Sequence, residues 1–127
     1  MKYILTETGI ETELPHGTLK MSGEKEHGFR PGELLVASIA GCSGSVFRKI
    51  LVKQRLELNE LEITADVERN PDEANKITKI TLHFEVGKTD ISLEKLERNL
   101  KLARKNCPMV RSVEDSIEIK EYITIKE

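Results

Sequence analysis

Apolar residues recur along this chain with three different rhythms, and each rhythm predicts a different element. Residues 1–30 carry brief apolar runs cut by polar turns. Tyr3-Ile4-Leu5 reads as a short strand, Gly9 and Gly17 punctuate, and Thr18-Leu19-Lys20-Met21 alternates as a half-buried strand does. The polar, glycine-bounded stretch Ser22–Gly28 predicts a loop. At Pro31 the rhythm changes to that of a helix, predicted to run to about Arg55. Proline suits a first helical position because its missing N–H needs no partner there, and Glu33 complements the positive end of the helix dipole. Leu34–Ile39 is apolar almost all round, which predicts a helix buried on most sides. Arg48–Arg55 is basic and amphipathic and is expected to emerge into solvent.

Two alternating runs follow, Leu61–Glu68 and Ile80–Val86, separated by the turn residues Asn70-Pro71-Asp72-Glu73 and Asn75. Alternation with one apolar face describes an antiparallel sheet with one wet side. Ser92 is placed to cap a second helix, in which Leu93, Leu96, Leu100, Ala103 and Cys107 form one stripe. Pro108 disfavours helical geometry at the residue before it, so Cys107 should sit where that helix ends or kinks. A last strand runs from Ile117 to Ile125. Segregated strands and helices, with no repeat and no linker, predict an α+β fold of antiparallel sheets packed on a long central helix, in a single domain spanning 1–127.

Composition narrows the function. With 20 basic and 22 acidic residues in 127, and only 4% aromatics, nothing points to nucleic acid or to a membrane surface. The N-terminus lacks the pattern of a signal peptide, and no stretch reads as apolar enough to span a bilayer, so a cytoplasmic setting is expected. There a pair of cysteines is more often catalytic or redox-sensing than a structural disulfide.

The chain has only two cysteines, Cys42 and Cys107, both on faces expected to look inward. They are either a redox couple or two small core residues. Cys42 sits between Gly41 and Gly44. Two glycines inside a helix, each costing about 1 kcal/mol against alanine, suggest the close approach of another segment or a ligand. A reactive thiol needs a cation or hydrogen bond to stabilise its thiolate, and Cys42 lies too deep in the helix for the dipole to help. Arg30 and Arg48 are the local candidates, while Arg104, Lys105 and Arg111 flank Cys107. His16, His27 and His83 show no ligand spacing, so no metal and no other cofactor is expected. His83 should be solvent-exposed.

Pro31-Gly32-Glu33-Leu34-Leu35 leading to Gly41-Cys42-Ser43, together with Cys107-Pro108-Met109-Val110, resembles the two cysteine motifs of the OsmC/Ohr family. The resemblance covers about residues 30–125 and points to the less characterised OsmC-like branch. It implies an intertwined α+β homodimer with active sites at the interface, in an antioxidant stress response. It implies that Cys42 attacks a peroxide, that Cys107 resolves the product as a disulfide, and that a thiol donor reduces it. Hydroperoxide reductases of the family carry an activating arginine in the N-terminal strands and a glutamate just after the helix-opening proline. This chain has no arginine before Arg30, and Gly32 stands where that glutamate would be, with Glu33 one residue later. Arg30 and Glu33 are therefore the candidate supporting residues, and Leu35, Ile39 and Val46 the candidate apolar lining of a substrate site. The alternative on the same scaffold is a non-enzymatic protein that binds a small hydrophobic ligand.

Overall fold

The computed structural model describes all residues, 1–127, and the chain forms two compact units, Met1–Ala37 and Ser38–Glu127. In the first, β1 (Ile4–Leu5), β2 (Ile10–Leu14) and β3 (Gly17–Met21) make an antiparallel meander in that order. The β2–β3 hairpin closes at Leu14 and Gly17, whose φ of 150° suits a residue without a side chain. Gly9 is required for another reason. A Cβ there would lie 2.0 Å from the Met21 carbonyl oxygen.

Helix α1 (Pro31–Lys53) starts in the first unit and continues into the second. It stops two residues before the expected end because Arg55 turns left-handed at φ 59°. The Leu56 N–H then reaches back to the Leu51 carbonyl, and the Arg55 N–H to that of Val52, satisfying two orphan carbonyls. Only Ile39, Ser43, Phe47 and Leu51 are buried, one residue per turn. The expected burial on most sides is corrected: Ala37, Ser38, Gly41, Ser45, Arg48 and Val52 are exposed in the single chain. By length and composition α1 also passes as a possible membrane span, contrary to the sequence expectation, although a core helix passes the same test.

In the second unit β4 (Leu61–Asn70) pairs antiparallel with β5 (Lys76–Val86), and β5 pairs with β6 (Glu118–Ile125). The β5–β6 pairing is parallel, where the alternation had suggested antiparallel strands throughout. Helices α2 (Leu93–Lys105) and α3 (Pro108–Val113) carry the chain back to the starting end of the sheet, and a crossover of this kind is what a parallel pair requires. Ile80, Leu82, Phe84 and Val86 of β5 face the core, where Phe84 meets Phe47 edge-on with ring centroids 5.6 Å apart.

Helix α2 begins as expected, with the Ser92 hydroxyl accepting from the Lys95 N–H at 3.2 Å. Leu96, Leu100 and Ala103 pack inward, but Leu93, at the first helical position, stays 43% exposed because the packed stripe starts a turn later. His83 is half-buried rather than solvated, with its ring 2.8 Å from the Thr124 hydroxyl.

Candidate functional site

Two local decisions of the chain bring the cysteines together. Helix α2 ends at Asn106, whose side-chain amide donates to the Leu102 carbonyl at 2.9 Å. Cys107 is then extended (φ −88°, ψ 107°), as a residue before proline should be, and Pro108 opens α3 with Cys107 as its N-cap. Cys107 is therefore at a junction between two helices, which refines the expectation of a helix end. It is fully buried, whereas Cys42 on α1 is half-exposed. The two thiols are unbonded, and the Cys42 sulfur lies near enough to Cys107 to raise its pKa.

Burial pushes the Cys107 thiol up from 9.0 to about 11. The Cys42 sulfur beside it pushes the same way, by its hydrogen bond and its charge. The Val110 and Met109 amides pull partly against this, although the sulfur makes no capping hydrogen bond of normal geometry. Cys107 thus keeps its proton at neutral pH and can donate it toward Cys42.

Cys42 opens onto a groove of about 660 Å³, within the range of small-molecule sites. One wall is the α1 stripe Cys42, Ser45, Val46, Lys49, Ile50, Lys53 and Gln54; the other is Leu102, Asn106 and Pro108. Of the residues expected at a substrate site, Val46 is here. Ile39 is a core residue with no exposure, and Leu35 is half-buried in the first unit; neither lines the groove. Arg30 and Glu33, also in the first unit, are exposed and pair with each other at 3.8 Å. Arg48 lies outside the groove, in a shallow hollow on the outer face of α1. Arg111 pairs with Glu114 at 3.6 Å.

Several residues that matter here escaped the sequence reading. Lys49 and Lys53 follow Cys42 by two and three helical turns, so helical spacing alone could have placed them on its face. Gln54 and Asn99 exchange two amide hydrogen bonds, at 2.9 and 2.8 Å, and tie α1 to α2. Behind Cys42, the buried Ser43 hydroxyl donates to Oε2 of Glu121. Oε1 of Glu121 is buried without a partner. Burial raises the Glu121 pKa, against the pull of Ser43 and Arg104. Arg104 itself donates to the Ile119 carbonyl. An acidic residue among Ile119, Ile123 and Ile125 on the inward positions of β6 was the signal available.

Gly44 answers the question about glycines in α1, since a Cβ there would lie 2.8 Å from Ile63 Cδ1. Gly41 has open space instead. No group of three or more His, Cys, Asp or Glu side chains is arranged to hold a metal ion.

Comparison with known proteins matches residues 22–121 to the family model described as "OsmC-like protein". The organic hydroperoxide resistance protein OhrA of Bacillus subtilis is 25% identical over 118 residues, covering 93% of this chain and 83% of that protein. Among solved structures, a hypothetical protein from Aquifex aeolicus superposes with a TM-score of 0.85 at 26% identity, covering 98% of this chain and 93% of its own. An OsmC-like protein from Mycoplasma pneumoniae gives 0.86 at 17% identity, with coverages of 99% and 95%.

Proposed function

Since the chain belongs to the OsmC-like protein family, which includes organic hydroperoxide resistance proteins, we propose that it reduces hydroperoxides through its two thiols. The observation that carries this reading is the asymmetry of the pair: a half-exposed Cys42 on a groove wall, near a fully buried Cys107 whose thiol is pushed up and holds its proton.

In the first step the Cys42 thiolate attacks the terminal peroxide oxygen and the O–O bond breaks. The alkoxide leaves with a proton as the alcohol, and Cys42 becomes a sulfenic acid. Cys107 then attacks the Cys42 sulfur. Hydroxide departs, takes the Cys107 proton and leaves as water, and an S–S bond remains. A thiol reductant returns two electrons and two protons by exchange. Keeping Cys107 protonated until that moment suits this order, since a buried neutral thiol neither competes for peroxide nor over-oxidises.

Apolar groove walls favour organic over inorganic peroxides. The exposed strip Gly41, Ser45 and Val52 on α1 would be covered by a second copy in a homodimer. We read the whole chain as one OsmC-like domain working in the reducing cytoplasm. The reading as a non-enzymatic binder of a hydrophobic ligand is favoured by one observation: Arg30 is engaged with Glu33.

The test is to treat the fully reduced protein with one equivalent of cumene hydroperoxide and map the thiols by mass spectrometry. A Cys42–Cys107 disulfide should form, Cys42→Ser should form none, and Cys107→Ser should stop at the Cys42 sulfenic acid, which a second equivalent carries to sulfinic acid. Two free thiols after exposure to peroxide would overturn the peroxidase reading and leave the binding one.

A further inference from the structure

Both segments that carry a thiol are fastened to the same strand. On α1, Ser43 directly follows Cys42, and its buried hydroxyl donates to Oε2 of Glu121 on β6. On α2, Arg104 stands three residues before Cys107 and donates to the carbonyl of Ile119, two residues before Glu121 on β6. Arg104 and Glu121 line one cleft that α2 and β6 border, and the guanidinium charge acts on the carboxylate there. Glu121 thus engages the α1 side by a hydrogen bond and the α2 side by charge. At the far end of the thiol groove, the paired amides of Gln54 and Asn99 join the two helical segments directly. At the thiol end the connection runs through β6, and no step of the peroxide chemistry above uses Glu121.

From this we infer that Glu121 is a positioning residue for the thiol pair: through Ser43 and Arg104 it holds the two cysteine-bearing segments at the separation from which a disulfide closes. Joining two thiols costs less when the fold already holds their carriers in place, because that freedom was given up on folding. A carboxylate does this better than a neutral acceptor. Glutamine would keep an oxygen for the Ser43 hydroxyl but offer Arg104 no charge. The groups that shift the Cys107 thiol are its own burial, Cys42 and the Val110 and Met109 amides, so Glu121 acts on position and not on that proton. The inference rests on the two-thiol reading of the site, but not on the oxidant being a peroxide.

The experiment equilibrates the full chain with mixtures of reduced and oxidised dithiothreitol at neutral pH, traps the free thiols by alkylation and counts the Cys42–Cys107 disulfide by mass spectrometry. S43A should lower the exchange constant about tenfold, or about 30 mV for a two-electron couple, and E121Q about threefold. General loosening of the core gives a different pattern. V86A thins a fully buried site of β5 that pairs with Ile125, four residues along β6 from Glu121. It should lower stability and leave the constant within about twofold. E121Q removes a buried charge, so it should weaken the disulfide while stabilising the fold, which a merely structural role would not do. An unchanged constant in either S43A or E121Q, an equal fall in V86A, or no disulfide in the unaltered protein at any ratio would each overturn the inference. If peroxide leaves both thiols free while dithiothreitol gives the expected ranking, the peroxidase reading fails and this one stands.

Discussion

Replacing Ser43 by alanine should expose how the protein tolerates a buried acid behind its thiol pair. Ser43 is fully buried and donates to Oε2 of Glu121, while Oε1 has no partner at all. Removing the hydroxyl leaves the carboxylate with only the field of Arg104 to offset its burial. A hydrogen bond to a charged group contributes about 1.5–3 kcal/mol, and alanine returns about 0.5 kcal/mol of helix propensity. The net loss at pH 7 should be about 1–2.5 kcal/mol, a fall of roughly 1 M in the urea midpoint for a domain of this size.

The loss should depend on pH in a defined sense. The Glu121 pKa is raised in the folded state, so its burial is tolerated below the ordinary carboxyl value of 4.5 and becomes costly as pH rises through the higher folded value. Losing the Ser43 hydrogen bond raises that value further. The gap between Ser43→Ala and the unaltered protein should therefore narrow as the pH falls toward 4.5, and Glu121→Gln should be more stable than the unaltered protein at pH 7. Urea titrations of the three proteins at several pH values measure this. A Ser43→Ala protein equal in stability at pH 7, or destabilised to the same degree at every pH, would refute the reasoning.

Alkali should weaken the fold through Cys107. Its stabilising protonated form is fully present below pH 9 and lost as pH rises through about 11, a difference on the order of 3 kcal/mol that Cys107→Ala should not show in alkaline urea titrations. Gly41→Ala should raise the stability of the single chain by about 1 kcal/mol, because a Cβ there meets nothing within 4 Å. A drop in melting temperature instead would show that this strip lies tightly against another surface. Phe47→Ala should cost about 3–5 kcal/mol, because it empties a fully buried site and removes the edge-on contact with Phe84; a loss under 1 kcal/mol in chemical denaturation would mean that the core collapses to refill it.

Periodicity carried most of the architecture, because each apolar face of this chain packs locally. The Leu96, Leu100, Ala103 stripe and the Leu82, Phe84, Val86 alternation both face the core. The parallel β5–β6 pairing was not legible, because strand direction depends on where the intervening helices lead the chain and not on which faces are apolar. The short α3 was hidden as well, since six residues are too few for a helical period to register. At the site, the thiols were found from their rarity and their place on inward faces. Arg30 and Arg48 were chosen for closeness in sequence to the helix start and to Cys42, yet Lys49 and Lys53 line the groove. Glu121 was invisible for a related reason. Its partners Ser43 and Arg104 come from two other elements, and only tertiary packing brings the three together.

The order of elements along the chain leaves a mark on its biosynthesis. β6 closes the sheet only by pairing with β5 across the whole segment Gly87–Ile117, and closing a loop of that length carries an entropic cost before any contact rewards it. Both cysteines leave the ribosome before β6 does. A nascent chain stalled ahead of Glu118 would carry an unfinished sheet and an unshielded Cys107. The thiol that the folded protein hides best is thus open to oxidation, as Cys42 is, until the last strand has been made.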